Sequence, residues 1–129
     1  MNIEEKTDYW LTSADRDVHT AERLFAGGDY HWCLFISHLV LEKALKACYT
    51  KKMRDVPPKT HDLVKLAKLA GIDLNEDKTY FFNKVNDFNI EARYPDEKFS
   101  FYKTATKEFS EENFRRIKEE YQWLKSLMK

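Results

Sequence analysis

The chain has 129 residues, enough for one domain with a core that needs no metal or disulfide staples. Lys plus Arg equals Asp plus Glu at 22 each, so no overall field draws it to nucleic acid or an anionic membrane; such binding has to come from a local patch. Only 3 Gly and 3 Pro beside 34% charged and 43% hydrophobic residues argue against a turn-rich β protein, and the 15% aromatic share suggests buried area beyond one monomer's core.

In chain order, Trp10, Ala14, Val18, Ala21, Leu24 and Phe25 recur at steps of three and four, which predicts an amphipathic helix over 7–26 closed by Gly27-Gly28. The next helix, 30–51, is apolar on so many sides (Cys33, Leu34, Ser37, Leu41, Ala44, Leu45, with Trp32, Phe35, Ile36 and Val40 widening the stripe) that it reads as the central, most buried element. Val56-Pro57-Pro58-Lys59 breaks it, and Thr60 is placed to N-cap a short helix through Leu63, Leu66 and Leu69 that stops at Gly71. Asn75 can cap the following helix, 76–92, with Tyr80, Phe81, Val85 and Phe88 inward. Pro95 lacks an N–H and pushes Tyr94 out of the α region, so that helix ends near Arg93, at a rigid corner facing the bundle or its mouth. Ala105, Phe109, Phe114, Ile117, Tyr121, Leu124 and Met128 mark a long final helix whose mixed charges, Lys107 to Glu120, read as a solvated face. The whole reads as one all-α domain, 1–129, an antiparallel bundle with short connections.

Several positions carry candidate chemistry. His38 and Glu42 stand one helical turn apart, with Lys46 a turn further, so all three can line one face. No HExxH or paired acidic-histidine spacing accompanies them, so no metal is expected, nor any cofactor, since no glycine-rich phosphate loop occurs. His61 fits a packing or hydrogen-bonding role, and His19 and His31 read as solvated. Arg93, between Ala92 and Tyr94-Pro95-Asp96, is either an ordinary corner paired with Asp96 or Asp87 or a polar site. Tyr80-Phe81-Phe82 and Phe99, Phe101, Tyr102 flank it, and consecutive aromatics cannot all enter one core, so some should pack against a second copy. Cys33 and Cys48, fifteen positions apart on one helix and so separated by roughly 22 Å, cannot bridge. Without a signal peptide, apolar span or lipidation motif, the expected location is the cytoplasm, with both thiols reduced and no membrane partner.

Taken together, Gly28-Asp29-Tyr30 leading to Ser37-His38-Leu39-Val40-Leu41-Glu42-Lys43-Ala44-Leu45-Lys46-Ala47, then Pro57-Pro58-Lys59-Thr60-His61-Asp62-Leu63, then Ala92-Arg93-Tyr94-Pro95-Asp96, resembles the HEPN (higher eukaryote and prokaryote nucleotide-binding) domain family. The resemblance implies an up-and-down bundle of four to five helices that commonly forms a homodimer. It also implies a separate small nucleotidyltransferase as partner, the two often forming a toxin and antitoxin. Many such toxins resemble metal-independent RNases built on an Arg followed after four to six residues by a His. Arg93 matches the first half, but Lys98, Phe99 and Ser100 stand where the His should fall, and a His is what moves a proton near neutral pH. Tyr102, two beyond Ser100, is the position that by resemblance would accept nucleotidyl groups. The expectation is therefore a nucleotide- or partner-binding module with His38, Glu42, Lys46, Arg93 and Asp96 at its polar site and with RNA cleavage weak or absent. The alternatives are a ribonuclease toxin using Arg93 and a purely structural dimeric interaction module.

Overall fold

A computed structural model describes residues 1–97 and 99–129, and every described element is helical. Four long helices, α1 (Ile3–Ala26), α2 (Tyr30–Met53), α4 (Glu76–Arg93) and α6 (Lys107–Ser126), are joined with two short ones, α3 (Leu63–Leu69) and α5 (Ser100–Thr104). The short fifth helix was not foreseen, because five residues are too few to show a period.

The helix starts follow from side-chain caps. Asn2, Asn75 and Thr106 each accept a hydrogen bond from the backbone N–H three residues on, at 2.8, 2.8 and 3.2 Å. At α3 the cap is Asp62 rather than the expected Thr60: its Oδ1 accepts from Val64 and Lys65 at 3.1 and 3.3 Å, while Thr60 Oγ1 accepts from the Asp62 N–H at 3.2 Å. Gly28, at φ 83°, makes the left-handed turn that ends α1 and lets α2 return antiparallel. α4 ends at Arg93, one residue past its expected limit, with Tyr94 N–H still bonded to Ile90 at 2.9 Å before Pro95 stops the ladder.

α2 packs against every other helix, and its buried set spans its whole circumference. Leu34, Leu41, Leu45, Leu63, Leu66, Phe82, Val85, Ile117 and Leu124 form the center of the core. The aromatic clusters split. Phe82, Phe81 and Phe101 are buried at 0, 5 and 8% exposure, whereas Tyr80, Phe99 and Tyr102 stand 75, 57 and 64% exposed. The Tyr80 placement differs from the inward reading because it leads α4's outer stripe. The charged face of α6 also has one exception: Glu120 is buried, and accepts from Lys78 Nζ at 2.5 Å and Arg116 Nε at 3.2 Å, tying α6 to α4.

Replacing Phe82 by Ala should cost about 3–5 kcal/mol, the usual range for emptying a fully buried ring site. Tyr80→Ala should stay within about 0.5 kcal/mol in the monomer, as for other exposed positions. Urea unfolding followed by circular dichroism measures both.

Candidate functional site

Three segments meet beside the middle of α2. One turn apart, His38, Glu42 and Lys46 occupy a single stripe of that helix, and all three are buried. After Pro57-Pro58 the chain turns back across this stripe and brings His61 onto it. α4 approaches from the other side with Asn86, Asn89 and Arg93.

Glu42 organises the stripe. Its Oε1 accepts from His61 Nδ1 at 2.8 Å and its Oε2 from Lys46 Nζ at 3.1 Å, so both oxygens of a carboxylate with 5% exposure are engaged. A buried charge that lost these partners would carry its desolvation cost uncompensated. Lys46 also lies 5.5 Å from the Trp10 ring of α1, so its ammonium is already committed inside the bundle.

The protonation of His38 can be deduced from its neighbors. Nε2 lies 2.9 Å from the His61 carbonyl, which only accepts, so Nε2 carries a proton. Nδ1 lies 3.2 Å from Asn89 Nδ2, and Asn89 Oδ1 lies 3.5 Å from the Arg93 guanidinium, which only donates. The amide therefore presents its NH2 to His38, and Nδ1 is the acceptor of a neutral imidazole. Burial pushes the His38 pKa below its ordinary 6.5, against the opposing pull of Glu42, in accord with this assignment.

Asn86 completes the wall. Its Oδ1 accepts from the Leu63 N–H and its Nδ2 donates to Asp62, each at 3.0 Å, locking the start of α3 to α4. A small cavity of about 210 Å³ lies among His38, His61, Asp62, Asn86, Asn89 and Ile90. Among the described residues no group of three or more His, Cys, Asp or Glu is placed to hold a metal ion.

Arg93 sits at the exposed end of this chain of contacts. Its guanidinium lies 3.5 Å from the Tyr94 hydroxyl and 5.4 Å from that ring's center. Among the described residues no carboxylate comes within ion-pair distance of it, neither Asp87 nor Asp96. Asp96 is occupied in capping α5, its Oδ1 accepting from Ser100 N–H at 2.8 Å and its carbonyl from Phe99 N–H at 3.0 Å. The expected site thus separates into a buried part, His38, Glu42 and Lys46, and an exposed part, Arg93 and Asp96, with Asn89 bridging from His38 to Arg93. Tyr102 is on α5, its ring edge-on to His31 at 5.2 Å. Lys98 lies outside the described residues.

Two members were undervalued in the sequence. His61 read as local packing, yet it holds Glu42. Asn89 has only a faint signal in the sequence, a polar residue beside Phe88 on the inward stripe of α4. Both cysteines are buried, and burial raises their thiols to about 12 for Cys33 and about 11 for Cys48, which leaves them unreactive near neutral pH.

A family model for the HEPN domain matches residues 7–127. The chain belongs to the HEPN family. Two solved structures share the fold: TT1696 from Thermus thermophilus, at TM-score 0.77 and 21% identity with 98% of each chain covered, and ST0689, described as an archaeal HEPN homologue, at TM-score 0.76 and 21% identity with 100% of this chain and 99% of that chain covered. Among the curated proteins none matches. Across this HEPN domain, among the described residues, no helix is long and apolar enough to cross a membrane.

The neutral His38 has a measurable consequence. Its pKa is lowered in the fold, so the unfolded chain binds the proton first as pH falls below 6.5, and stability declines from there until the folded pKa is passed. His31 shifts in the same direction, mainly through burial, so the His38 contribution is read as a difference. The urea midpoint should fall between pH 7.5 and 5.5 by more in the native protein than in His38→Gln.

Proposed function

We propose that this HEPN protein is a cytoplasmic binding module which grips a phosphate of a nucleotide or RNA at Arg93. It acts as a homodimer and pairs with a small nucleotidyltransferase as one half of a toxin–antitoxin type system. The observation that carries the ligand half is the Arg93 guanidinium, exposed at a rigid Pro-bounded corner and without a carboxylate partner among the described residues. A guanidinium so placed offers two parallel donors to phosphate oxygens. Lys46, bound to Glu42, supports the fold of the site rather than the ligand.

RNA cleavage needs a group that moves a proton, and Ser100 without an activating base does this poorly; losing such a group typically lowers rates ~10²- to 10⁴-fold. One observation favors the ribonuclease alternative. His61 donates its Nδ1 proton to a buried carboxylate and has its side chain 63% exposed, which is how a carboxylate orients a proton-transferring imidazole.

Calorimetric titration with mono- and dinucleotides should give modest binding that falls roughly tenfold in Arg93→Ala, the scale of one charge-assisted contact. Absence of heat at millimolar ligand removes the ligand half. RNA incubated with the protein and a chelator should stay intact; cleavage abolished by both Arg93→Ala and His61→Ala would establish the ribonuclease instead.

For the homodimer, support comes from Tyr80 and Ile90 of α4 and Tyr94 just past its end, which are 75, 58 and 69% exposed. Ile90→Asp should shift the light-scattering mass from dimer toward monomer while leaving helicity intact. A native protein that is monomeric at every concentration tested would refute the dimer.

A further inference from the structure

A wide cleft shares no lining residue with the cavity beside His38 and His61 and plays no part in the Arg93 reading. It encloses about 780 Å³ between the start of α2 and the corner that leads into α5. Its walls are Trp32, Phe99 and Tyr102, which remain 41, 57 and 64% exposed, and His31, which packs against Trp32 at 5.0 Å and Tyr102 at 5.2 Å. Phe101 floors it, stacked on Phe88 of the core at 5.6 Å. The walls are therefore held in place by the fold and by one another.

The cleft also carries charged groups. Elsewhere, half-buried or buried carboxylates are neutralised: Asp17 by Lys43 at 2.6 Å, Glu42 by Lys46, Glu120 by Lys78 and Arg116. Glu91 and Glu97 line the cleft, yet among the described residues neither has a cation within ion-pair distance. Lys103 also lines it, with an exposed side chain. Glu91 in addition feels Asp87 and Asp96; burial first, then these two like charges, raise its carboxyl above the ordinary value. Among the described residues the lining thus has an aromatic surface, two carboxylates and one ammonium.

Aromatic faces attract a cation through their quadrupole, and carboxylates complete the charge. A phosphate-bearing ligand would meet repulsion from Glu91 and Glu97 instead. The volume exceeds what one small ammonium ion needs and sits within the range of sites that enclose several side chains' worth of ligand, ~300–1,000 Å³. We propose that this cleft is the docking site for an arginine-bearing basic segment of a protein partner, the guanidinium lying on Trp32 and Tyr102 and answered by Glu91 and Glu97.

The test uses a synthetic peptide, acetyl-Ala-Arg-Ala-Arg-Ala-amide, and its citrulline counterpart, which keeps the shape and loses the charge. Binding is followed by calorimetry and by Trp32 emission, with Trp32→Phe as the control for Trp10 and Trp123. The arginine peptide should bind saturably, weaken as salt rises, and bind at least fivefold more tightly than the citrulline peptide. Glu91→Gln with Glu97→Gln should lose at least fivefold in affinity with unchanged circular dichroism, since both side chains are exposed. Equal affinity for the two peptides, an unaffected double variant, or no binding at millimolar peptide overturns the proposal. So does stronger binding of a short single-stranded RNA at the cleft, judged by Trp32 emission. Conversion of a dimer to a monomer by Trp32→Ala would assign the cleft to a second copy and overturn it as well.

Discussion

The constraint on which the site depends is a single buried carboxylate. Glu42 sits in the middle of the most enclosed helix, where an ionised group is stable only if its oxygens are answered by donors. Lys46 answers from the same helix. His61 answers from a segment nineteen residues further on, and so ties the Pro57-Pro58 return to α2. With His61 held, its carbonyl meets His38, His38 meets Asn89, and Asn89 reaches Arg93. One desolvated charge thereby sets the course of the loop, the tautomer of a histidine and the near end of α4.

This arrangement also explains how polarity is distributed. Lys46 and Arg93 are both basic and both near the polar stripe, but they do different work. Lys46 is enclosed by Glu42 and Trp10 and neutralises the interior. Arg93 is released to solvent because Pro95 ends the helix beneath it and Asp96 turns instead to cap α5. Arg93 is thus a surface cation that makes no ion pair among the described residues. The aromatic cleft carries Glu91 and Glu97, which among the described residues make no ion pair, and its lining comes from both sides of the same corner.

Much of this was legible in residue order. The three- and four-residue steps gave the long helices to within a few residues, Pro95 marked the end of α4, and the all-round apolar pattern of 30–51 marked the central helix. The misreadings were of side chains whose surroundings come from elsewhere in the chain. Tyr80 turned outward while Phe81 and Phe82 turned in. Glu120, read as part of a solvated face, lies buried because Lys78 of α4 reaches it. Thr60 supports the cap at Asp62 rather than being the cap. The five-residue α5 left no periodic trace.

Sequence alone determined the all-helical class, the order of the long helices, and the stripe of His38, Glu42 and Lys46, because these depend on spacing along a helix and on local backbone limits at Gly and Pro; the family followed from the resemblance of its motifs. Only the tertiary structure decided that His61 and Asn89 join that stripe, that His38 is neutral, and that Lys46 is spent while Arg93 is open. Those outcomes rest on hydrogen bonds and desolvation between segments nineteen to fifty-one residues apart, and a buried polar group takes whichever partner the packing brings within about 3 Å.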